Sequence, residues 1–326
     1  SADYDLTDQL TLAGGVRYTD DQKDFVVERV LGPFGAPPAG PFTRDVGDDE
    51  ISFDLSLTYE LSEDVNLFAR VARGFRAPSI QGRILFAALT PDFDGVTVAE
   101  TETILSYEAG LKSNFLDGRG RFNLTGYVFS IEDQQLTAIG GAGNFNQLIN
   151  VDQGLGYGIE AELDFALTPD LSLSSNFSWN ETEIQDENAQ TAICGSATPC
   201  TVLDPIDPNT GNALIDGNPF PQAPRFIANA VLDYSRDAGA GELFATTDWS
   251  YRSSANIFLY EAAEFETEPQ VIGGARVGYR WDNRTIAVWS RNITNTVGTV
   301  SAIDFNNLSG IFNQPRTYGV ELGWRF

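Results

Sequence analysis

Several residue types on which common protein functions depend are scarce or missing in this chain. Its 326 residues include no methionine, no histidine and two cysteines, and 20 Lys and Arg stand against 46 Asp and Glu. The missing histidine removes the commonest metal ligand and the commonest general base at neutral pH. The formal net charge of −26 argues against nucleic acid as a partner, because nucleic-acid binding needs basic patches. The missing methionine leads us to expect a processed or truncated piece of a longer product.

Long apolar runs are missing too. No run of about 18 apolar residues is present that could form a transmembrane helix, and the N-terminal residues lack the pattern of a signal peptide. The sequence also has no nucleophile–base set, no cluster of metal ligands and no phosphate-binding loop. We therefore expect no enzymatic activity, no bound metal and no cofactor.

A strict two-residue alternation runs through most of the chain. From Ile149 to Phe165 the odd positions are almost all apolar, and the even positions are polar or glycine. Side chains alternate across a strand, so this pattern predicts a strand with one apolar and one polar face. Strands of soluble sandwiches usually have about five or six residues, and this alternation is much longer.

The same alternation recurs between turn signals. It predicts thirteen strands, at about 1–6, 9–29, 49–61, 65–79, 101–116, 120–139, 147–167, 171–186, 223–237, 241–258, 268–282, 284–298 and 312–326. Very short connections alternate with long ones rich in Pro, Gly and acids, at about 30–48, 81–100, 187–222, 259–268 and 299–311. Short turns at one end and long loops at the other are typical of transmembrane β-barrels.

The predicted fold class is therefore all-β, an antiparallel up-and-down transmembrane β-barrel. Bacterial single-chain barrels have even strand numbers, so thirteen strands lead us to expect one portion of a larger barrel. Two alternatives stay open: a self-closing passive channel of 12 or 14 strands, and a soluble acidic all-β binding module.

Charged residues occupy the polar strand faces, where we expect the lumen. Lys or Arg on the lipid face would cost about 2–4 kcal/mol at the bilayer midplane. Both signs occur on these faces, which fits either a molecule that fills the lumen or a water-filled pore. Arg73 breaks the pattern because it shares the apolar face of its strand, and a bulge near Gly74 or a position at headgroup level would explain it.

Five segments resemble strands of TonB-dependent outer-membrane receptors, and they occur in that family's order. They are Asn66–Ser79 (NLFARVARGFRAPS), Ser106–Phe115 (SYEAGLKSNF), Asn150 with Gly158–Leu163 (GIEAEL), Asn292–Asn295 (NITN, with Asn295 where Asp is usual) and Gln314–Phe326 (QPRTYGVELGWRF). Each segment alone is weakly specific, but five in order over about residues 60–326 are fairly specific.

The resemblance implies a 22-stranded barrel that encloses an N-terminal plug domain. It implies energised uptake of a scarce nutrient, mostly ferric siderophores, with cobalamin, haem and oligosaccharides also served by the family. TonB pulls on an N-terminal segment in such receptors. Neither plug nor TonB box is visible here. We therefore expect residues 1–326 to be the C-terminal portion of the barrel, with the remaining strands, the plug and the TonB contact as missing partners.

The resemblance also assigns expectations to particular residues. The final alternating positions resemble the signal that the barrel-assembly machinery reads: Tyr318, Val320, Leu322, Trp324 and Phe326. Residues expected to face the lumen, and to contact the plug, a ligand or one another, are Arg70, Arg76, Glu108, Lys112, Glu160 and Glu162. Glycines at 154, 156 and 158 would leave room on that face for a packed plug.

The long loops carry the remaining candidates. Cys194 and Cys200 lie six residues apart in the longest loop, and an oxidising compartment favours a disulfide there over two thiols. Between Phe122 and Pro224 no Lys or Arg occurs, so the acids there either bind Ca²⁺ or form a solvated rim. Loop aromatics could line a ligand vestibule or pack with one another: Phe86, Phe93, Phe145, Phe258, Tyr260, Phe265, Phe305 and Phe312.

Overall fold

The structure is a computed structural model and describes residues 1–32, 35–85, 94–140, 145–195, 199–304 and 308–325. It is built almost wholly from strands. They are β1 (Ala2–Thr7), β2 (Leu10–Arg29), β3 (Ala39–Ser62), β4 (Val65–Arg76), β5 (Ser79–Gln81), β6 (Thr97–Ala99), β7 (Glu102–Phe115), β8 (Gly120–Gly140), β9 (Phe145–Thr168), β10 (Leu171–Gln185), β11 (Gln190–Thr191), β12 (Ala213–Leu214), β13 (Phe226–Ala238), β14 (Gly241–Arg252), β15 (Gln270–Trp281), β16 (Arg284–Arg291), β17 (Thr299–Asp304), β18 (Leu308–Phe312) and β19 (Thr317–Trp324), with a 3-10 turn at Ala263–Phe265.

Thirteen of these strands form one antiparallel sheet, which confirms the predicted strand number and meander. Its order is β1-β2-β3-β4-β7-β8-β9-β10-β13-β14-β15-β16-β19, and β1 and β19 are its edges in the part of the chain that the structure describes. The six remaining strands form three small sheets, β5 with β6, β11 with β12 and β17 with β18. All three lie in connections at the same end of the large sheet, which we call the long-loop end.

The large sheet has one apolar and one polar face. The apolar face carries large exposed side chains such as Tyr107, Ile159 and Val277, of which Tyr107 is 52% exposed. The polar face carries the charged residues of the same strands, for example Arg70 and Glu108. In the described ranges no helix has the length and hydropathy needed to cross a membrane.

Two strands are longer than the sequence pattern predicts. β3 begins at Ala39, ten residues before the expected start, and pairs with β2 as far as Arg29↔Ala39. The expected loop at 30–48 is therefore mostly a two-stranded ribbon. Residues 39–48 are mostly small or polar, with Phe42 and Val46 as the only large apolar side chains, so alternation did not mark them as strand. Other strands are shorter than expected, because β14 ends at Arg252, β16 ends at Arg291 and β19 begins at Thr317.

Arg73 lies in a regular strand, so the expected bulge near Gly74 is wrong. β4 pairs with β7 without a register shift from Val65 to Arg76. The Arg73 side chain reaches β3, where its Nη1 donates to Oε2 of Glu50 at 2.6 Å and to the carbonyl oxygen of Ile51. An ion pair across two strands, rather than a break in the strand, accommodates this arginine on the apolar side.

Glycines on the polar face lie beneath aromatic rings of neighbouring strands. A Cβ at Gly156 would clash with the ring of Phe129, and a Cβ at Gly158 would lie 2.6 Å from the hydroxyl of Tyr127. The rings of Tyr127 and Phe129 stack with their centroids 6.2 Å apart. The space above these glycines is therefore filled by the wall itself, and the expectation that it is left free for a packed plug is wrong.

Candidate functional site

Arg70 joins three neighbouring strands on the polar face. Its Nη1 donates to Oε1 of Glu108 on β7 at 3.1 Å, and its Nε donates to Oδ2 of Asp54 on β3. Arginine suits such contacts because its planar guanidinium presents five donors and stays charged. One cation on β4 thus pairs with one carboxylate on each of the two adjacent strands.

Other charges on the polar face also pair within the sheet. Arg121 contacts Asp164 at 2.7 Å, Arg276 contacts Glu321 at 2.9 Å and Arg280 contacts Glu242 at 3.6 Å. The Lys112 Nζ lies 5.5 Å from the centroid of the Phe68 ring. Ion pairs inside the wall therefore explain both signs of charge without a molecule in the lumen.

Glu160 and Glu162 differ from these paired charges. Glu162 accepts a 3.0 Å hydrogen bond from Nδ2 of Asn123, and Glu160 lies opposite Thr125 on one side and Ser178 on the other. Among the described residues neither carboxylate has a basic side chain within ion-pair distance. They remain the wall carboxylates best placed to meet a donor or a cation.

Arg76 lies at the base of the connection between β4 and β7. Its guanidinium is 3.6 Å from the Glu102 carboxylate, and Glu102 also accepts the backbone N–H of Gln135 at 2.6 Å. The Gln135 amide donates to the carbonyl oxygens of Ala77 at 3.0 Å and Glu100 at 2.8 Å, one at each end of that connection. Residues 77 and 100 are thereby held together on the wall.

Asn150 on β9 also binds the end of the β4–β7 connection, at Glu100. Its Nδ2 donates to the carbonyl oxygens of Asp133 at 2.7 Å and Glu100 at 3.2 Å, and its Oδ1 accepts the N–H of Glu100 at 2.8 Å. Asp133 has φ +53, the left-handed region that Asp tolerates better than most residues. Sequence reasoning singled out Asn150 by resemblance and gave no signal for Gln135 or Glu102.

A buried cluster covers the long-loop end, and we call it the cap. It combines the ends of β8, β9 and β10 with the connections β10–β13 and β14–β15. Its buried members are Leu136, Ala138, Val151, Ile184, Ala189, Ala213, Ile215, Ile257, Phe258, Leu259, Tyr260, Ala262 and Phe265. The two connections therefore form a packed unit rather than separate loops, which the loop-like composition did not predict.

The disulfide lies in this cap. The Sγ atoms of Cys194 and Cys200 are 2.06 Å apart, and Cys200 Sγ is 4.0 Å from the hydroxyl of Tyr260. The Tyr260 hydroxyl donates to Oδ2 of Asp304 at 2.8 Å, and both side chains have no solvent exposure. Burial, followed by the Asp304 carboxylate, raises the pKa of Tyr260, so it stays a neutral donor.

Polar residues fasten the two connections of the cap to each other. Oδ2 of Asp204 accepts Nδ2 of Asn218 at 3.0 Å and the N–H of Glu261 at 2.7 Å. The N–H of Thr201 donates to the Glu264 carboxylate at 2.8 Å, which lowers the pKa of Glu264. Burial raises the pKa of Glu261, and the nearby Asp204 and Glu266 raise it further.

Some of the loop aromatics are buried in the cap and another is exposed. Phe258, Tyr260 and Phe265 pack against one another in the cap, with the Phe258 and Phe265 rings 4.6 Å apart, whereas Phe312 is 61% exposed. Phe86, Phe93, Phe305 and the Phe145 side chain lie outside the described residues. In the described ranges no group of three or more carboxylate, thiol or imidazole side chains is arranged to hold a metal ion.

The last strand presents its alternating residues on the apolar face. Tyr318, Val320, Leu322 and Trp324 are all more than half exposed, and Phe326 lies outside the described residues. Before this strand, Asn292 and Asn295 both have positive φ, and Asn295 Oδ1 accepts the N–H of Arg316 at 3.1 Å. The NITN segment is thus a turn that fixes the start of β19.

Comparison with known proteins decides the family. The sequence model of the TonB dependent receptor-like beta-barrel family matches residues 1–308. The chain belongs to this family. Barrels of TonB-dependent receptors lie in the bacterial outer membrane, and so does this one, with its apolar face toward lipid and its polar face toward the lumen.

One curated relative and two solved structures illustrate the similarity. The pesticin receptor of Yersinia pestis is 25% identical over 317 residues, which cover 93% of this chain and 42% of that protein. The ferric yersiniabactin uptake receptor FyuA of Yersinia pestis superposes with a TM-score of 0.77 at 18% identity, covering 99% of this chain and 44% of that one. The copper transporter OprC superposes with a TM-score of 0.70 at 16% identity, covering 98% of this chain and 46% of that one. The chain thus spans less than half the length of each of these proteins.

Proposed function

We propose that residues 1–326 are the C-terminal portion of the barrel of a receptor that imports a ferric siderophore with energy from TonB. The likeness to the ferric yersiniabactin receptor over 99% of the chain carries this proposal. The role is transport and not catalysis.

The residue composition supports a chelated cargo over a bare metal ion. Copper and similar ions are bound by Met, Cys and His. This chain has no Met and no His, and its two cysteines form a disulfide. A ferric complex instead needs apolar contacts and hydrogen bonds, which the cap and the polar face can supply.

The lumen face supports a further domain inside the barrel. We assign Arg70, Arg76, Glu108, Lys112, Glu160 and Glu162 to the surface that this plug and the passing ligand meet. Glu160 and Glu162 have no basic partner among the described residues, although Glu162 accepts a hydrogen bond from Asn123. The remaining barrel strands would pair with the edges β1 and β19. TonB would act through the plug, and the barrel-assembly machinery would read the apolar face of β19.

A growth and uptake experiment tests this function. A strain that lacks the complete gene should fail to grow on one ferric siderophore of a panel in iron-poor medium, and it should lose uptake of the radioactive iron complex. A protonophore should abolish uptake in the parent strain, because TonB draws on the proton gradient. E160Q/E162Q should reduce uptake, whereas E63Q/D64N in a short turn should not. Unchanged uptake of every complex, or loss of copper uptake alone, would refute the proposal.

A further inference from the structure

The cap is acidic and contains no basic side chain in its two connections. Residues 186–224 and 253–269 hold nine Asp and Glu and no Lys or Arg. Among the described residues none of these nine carboxylates forms an ion pair. The negative charge of the cap is therefore not neutralised by its own residues.

Some carboxylates of the cap lie close enough to affect one another. Burial raises the pKa of Glu261, and the nearby carboxylates of Asp204 and Glu266 raise it further. Asp204 is 9% exposed, and hydrogen bonds from Asn218 and from the N–H of Glu261 hold it in place. The cap thus keeps negative charge at fixed positions, and a wall of one sign of charge attracts molecules of the opposite sign.

The cap lies on the lumen side of the wall. A Cβ at Gly154, on the polar face of β9, would be 2.8 Å from Cζ of Phe220 in the β10–β13 connection. The N–H of Phe220 donates to Oγ1 of Thr182 on β10 at 3.0 Å. A molecule that enters from the long-loop end therefore passes the cap before it reaches Glu160 and Glu162.

A pocket of about 310 Å³ opens between the cap and the ends of β10, β13 and β14. Asn180 lines this pocket and accepts a 3.0 Å hydrogen bond from the hydroxyl of Tyr127 on the polar face of β8. Three carboxylates and one guanidinium also line it, those of Glu181, Glu261, Glu266 and Arg225. Because Arg225 contacts the Glu181 carboxylate at 2.7 Å, the other two carboxylates give the pocket a net negative charge.

An unpaired acceptor adds to these carboxylates. Asn256 lines the same pocket and is 6% exposed. Its Nδ2 donates to the carbonyl oxygens of Phe258 and Tyr260 at 2.9 and 2.8 Å, which uses both N–H groups of the amide. Its Oδ1 has no hydrogen-bond partner among the described residues. The pocket therefore suits a cation that donates several hydrogen bonds, as an ammonium group does.

The arginines beside the cap are bound to protein oxygens. Arg225 contacts Glu181, as described above, and Nη2 of Arg252 donates to the carbonyl oxygen of Thr299 at 3.2 Å. An anionic molecule would have to compete with these oxygens, and it would still meet the carboxylates of the cap. The charges of this end of the barrel thus favour a cationic molecule over an anionic one.

We propose that the cargo is a ferric trihydroxamate with a free ammonium group, and that this pocket binds the ammonium group. The inference rests on the siderophore function proposed above and narrows it to one class of complex. Three hydroxamates balance the charge of Fe³⁺, so an added ammonium group makes the complex cationic. Three catecholates instead leave the complex strongly anionic, and the cap would repel it.

Binding to the intact receptor in detergent tests the proposal with a matched pair of ligands. Ferrioxamine B is a ferric trihydroxamate with one primary amine, and acetylation of that amine removes its charge without changing the iron ligands. The unmodified complex should bind about tenfold more tightly than the acetylated one, and ferric enterobactin, a tris-catecholate, should bind more weakly than both. The preference should shrink at high salt, because salt screens exposed charges.

Variants locate the effect in the pocket. E261Q/E266Q should weaken binding of ferrioxamine B about tenfold and leave binding of the acetylated complex unchanged. E63Q/D64N, in a short turn at the opposite end of the strands, should change neither. Equal affinity for the two complexes, binding of neither, or no effect of E261Q/E266Q would overturn the proposal.

Uptake by cells separates this inference from the function on which it rests. A strain without other siderophore receptors, supplied with the complete gene, should take up iron from ferrioxamine B. Uptake from ferric enterobactin instead would overturn the inference and leave the siderophore function intact. Uptake from no ferric siderophore would refute both.

Discussion

The buried hydroxyl of Tyr260 donates a 2.8 Å hydrogen bond to Oδ2 of Asp304, which ties the β14–β15 connection to β17. In Y260F the Asp304 carboxylate loses this donor, so we expect the cap to lose about 1–3 kcal/mol of local stability. Hydrogen exchange of residues 257–265 should become faster in the variant. Y251F on the exposed lipid face should leave that exchange unchanged, and equal protection in Y260F would show that the bond contributes nothing.

The glycine beneath the Phe129 ring offers a matched test of the inner wall. G156A places a methyl group against that ring and should destabilise the barrel by about 1–3 kcal/mol. G126A is the control, because its Cβ meets no atom closer than 4.0 Å. Thermal unfolding in detergent should show a lower midpoint for G156A alone, and G156A/F129A should recover part of the loss. Equal midpoints would exclude a packing role for the pair.

The Cys194–Cys200 disulfide should stiffen the cap without affecting the barrel. Closing so short a loop stabilises by about 2 kcal/mol in the chain-entropy description. C194S/C200S should therefore speed hydrogen exchange in residues 189–215 and leave β2–β4 unchanged. Loss of protection across the whole sheet would instead indicate a role in folding.

The contact between Thr201 and Glu264 predicts a pH dependence of the cap. The pKa of Glu264 lies below its ordinary value of 4.5 because its carboxylate accepts the Thr201 N–H. The contact therefore contributes stability above that pH, and the contribution disappears as the pH falls through the lower value of the folded state. Reduction of the adjacent disulfide by a phosphine should accelerate on acidification in the native chain and much less in E264Q. Equal acceleration in both would remove Glu264 as the cause.

Arg276 on β15 forms an ion pair with the last strand, β19, across the intervening strand β16. Its guanidinium donates to both oxygens of Glu321 on β19, at 2.9 and 3.2 Å, and lies 4.7 Å from the Phe244 ring centroid on β14. The ion pair is partly exposed, so R276A should cost only about 1 kcal/mol. R276K should not restore the contact, because lysine lacks the two-pronged geometry. Hydrogen exchange of β19 is the measurement, and full rescue by R276K would refute the geometric argument.

Alternation predicted the thirteen strands because a wall between lipid and a polar lumen imposes opposite chemistry on successive residues. The alternation pattern did not predict strands in the segments that lie outside this boundary between lipid and lumen. Residues 39–48 lie where that contrast is lost. Phe42 packs on the small cluster of Ile84 and Val96 and most of the other residues are small or polar, so this part of β3 looked like a loop. The sequence pattern did not predict the cap for a related reason, since Ala213 and Ile215 are isolated apolar residues in the β10–β13 connection and the cluster joins them to residues of β8, β9 and the β14–β15 connection.

The alternation along each strand, together with the family resemblance, predicted which residues face the lumen. It did not predict which residues they contact. Arg70 could be placed on the polar face by counting, but its contacts with Asp54 and Glu108 depend on the register of two strand pairs. Gln135 gave no signal at all, because it acts on backbone carbonyls, which every residue carries.

The fit of the Phe129 ring over Gly156 has an evolutionary consequence. A larger residue at position 156 needs a smaller one at position 129, and a smaller residue at 129 leaves a gap that a larger one at 156 can fill. Related barrels should therefore exchange these two residues together. Sequence change on the lumen face then requires paired substitutions on adjacent strands. Residues on the lipid face can still change one at a time.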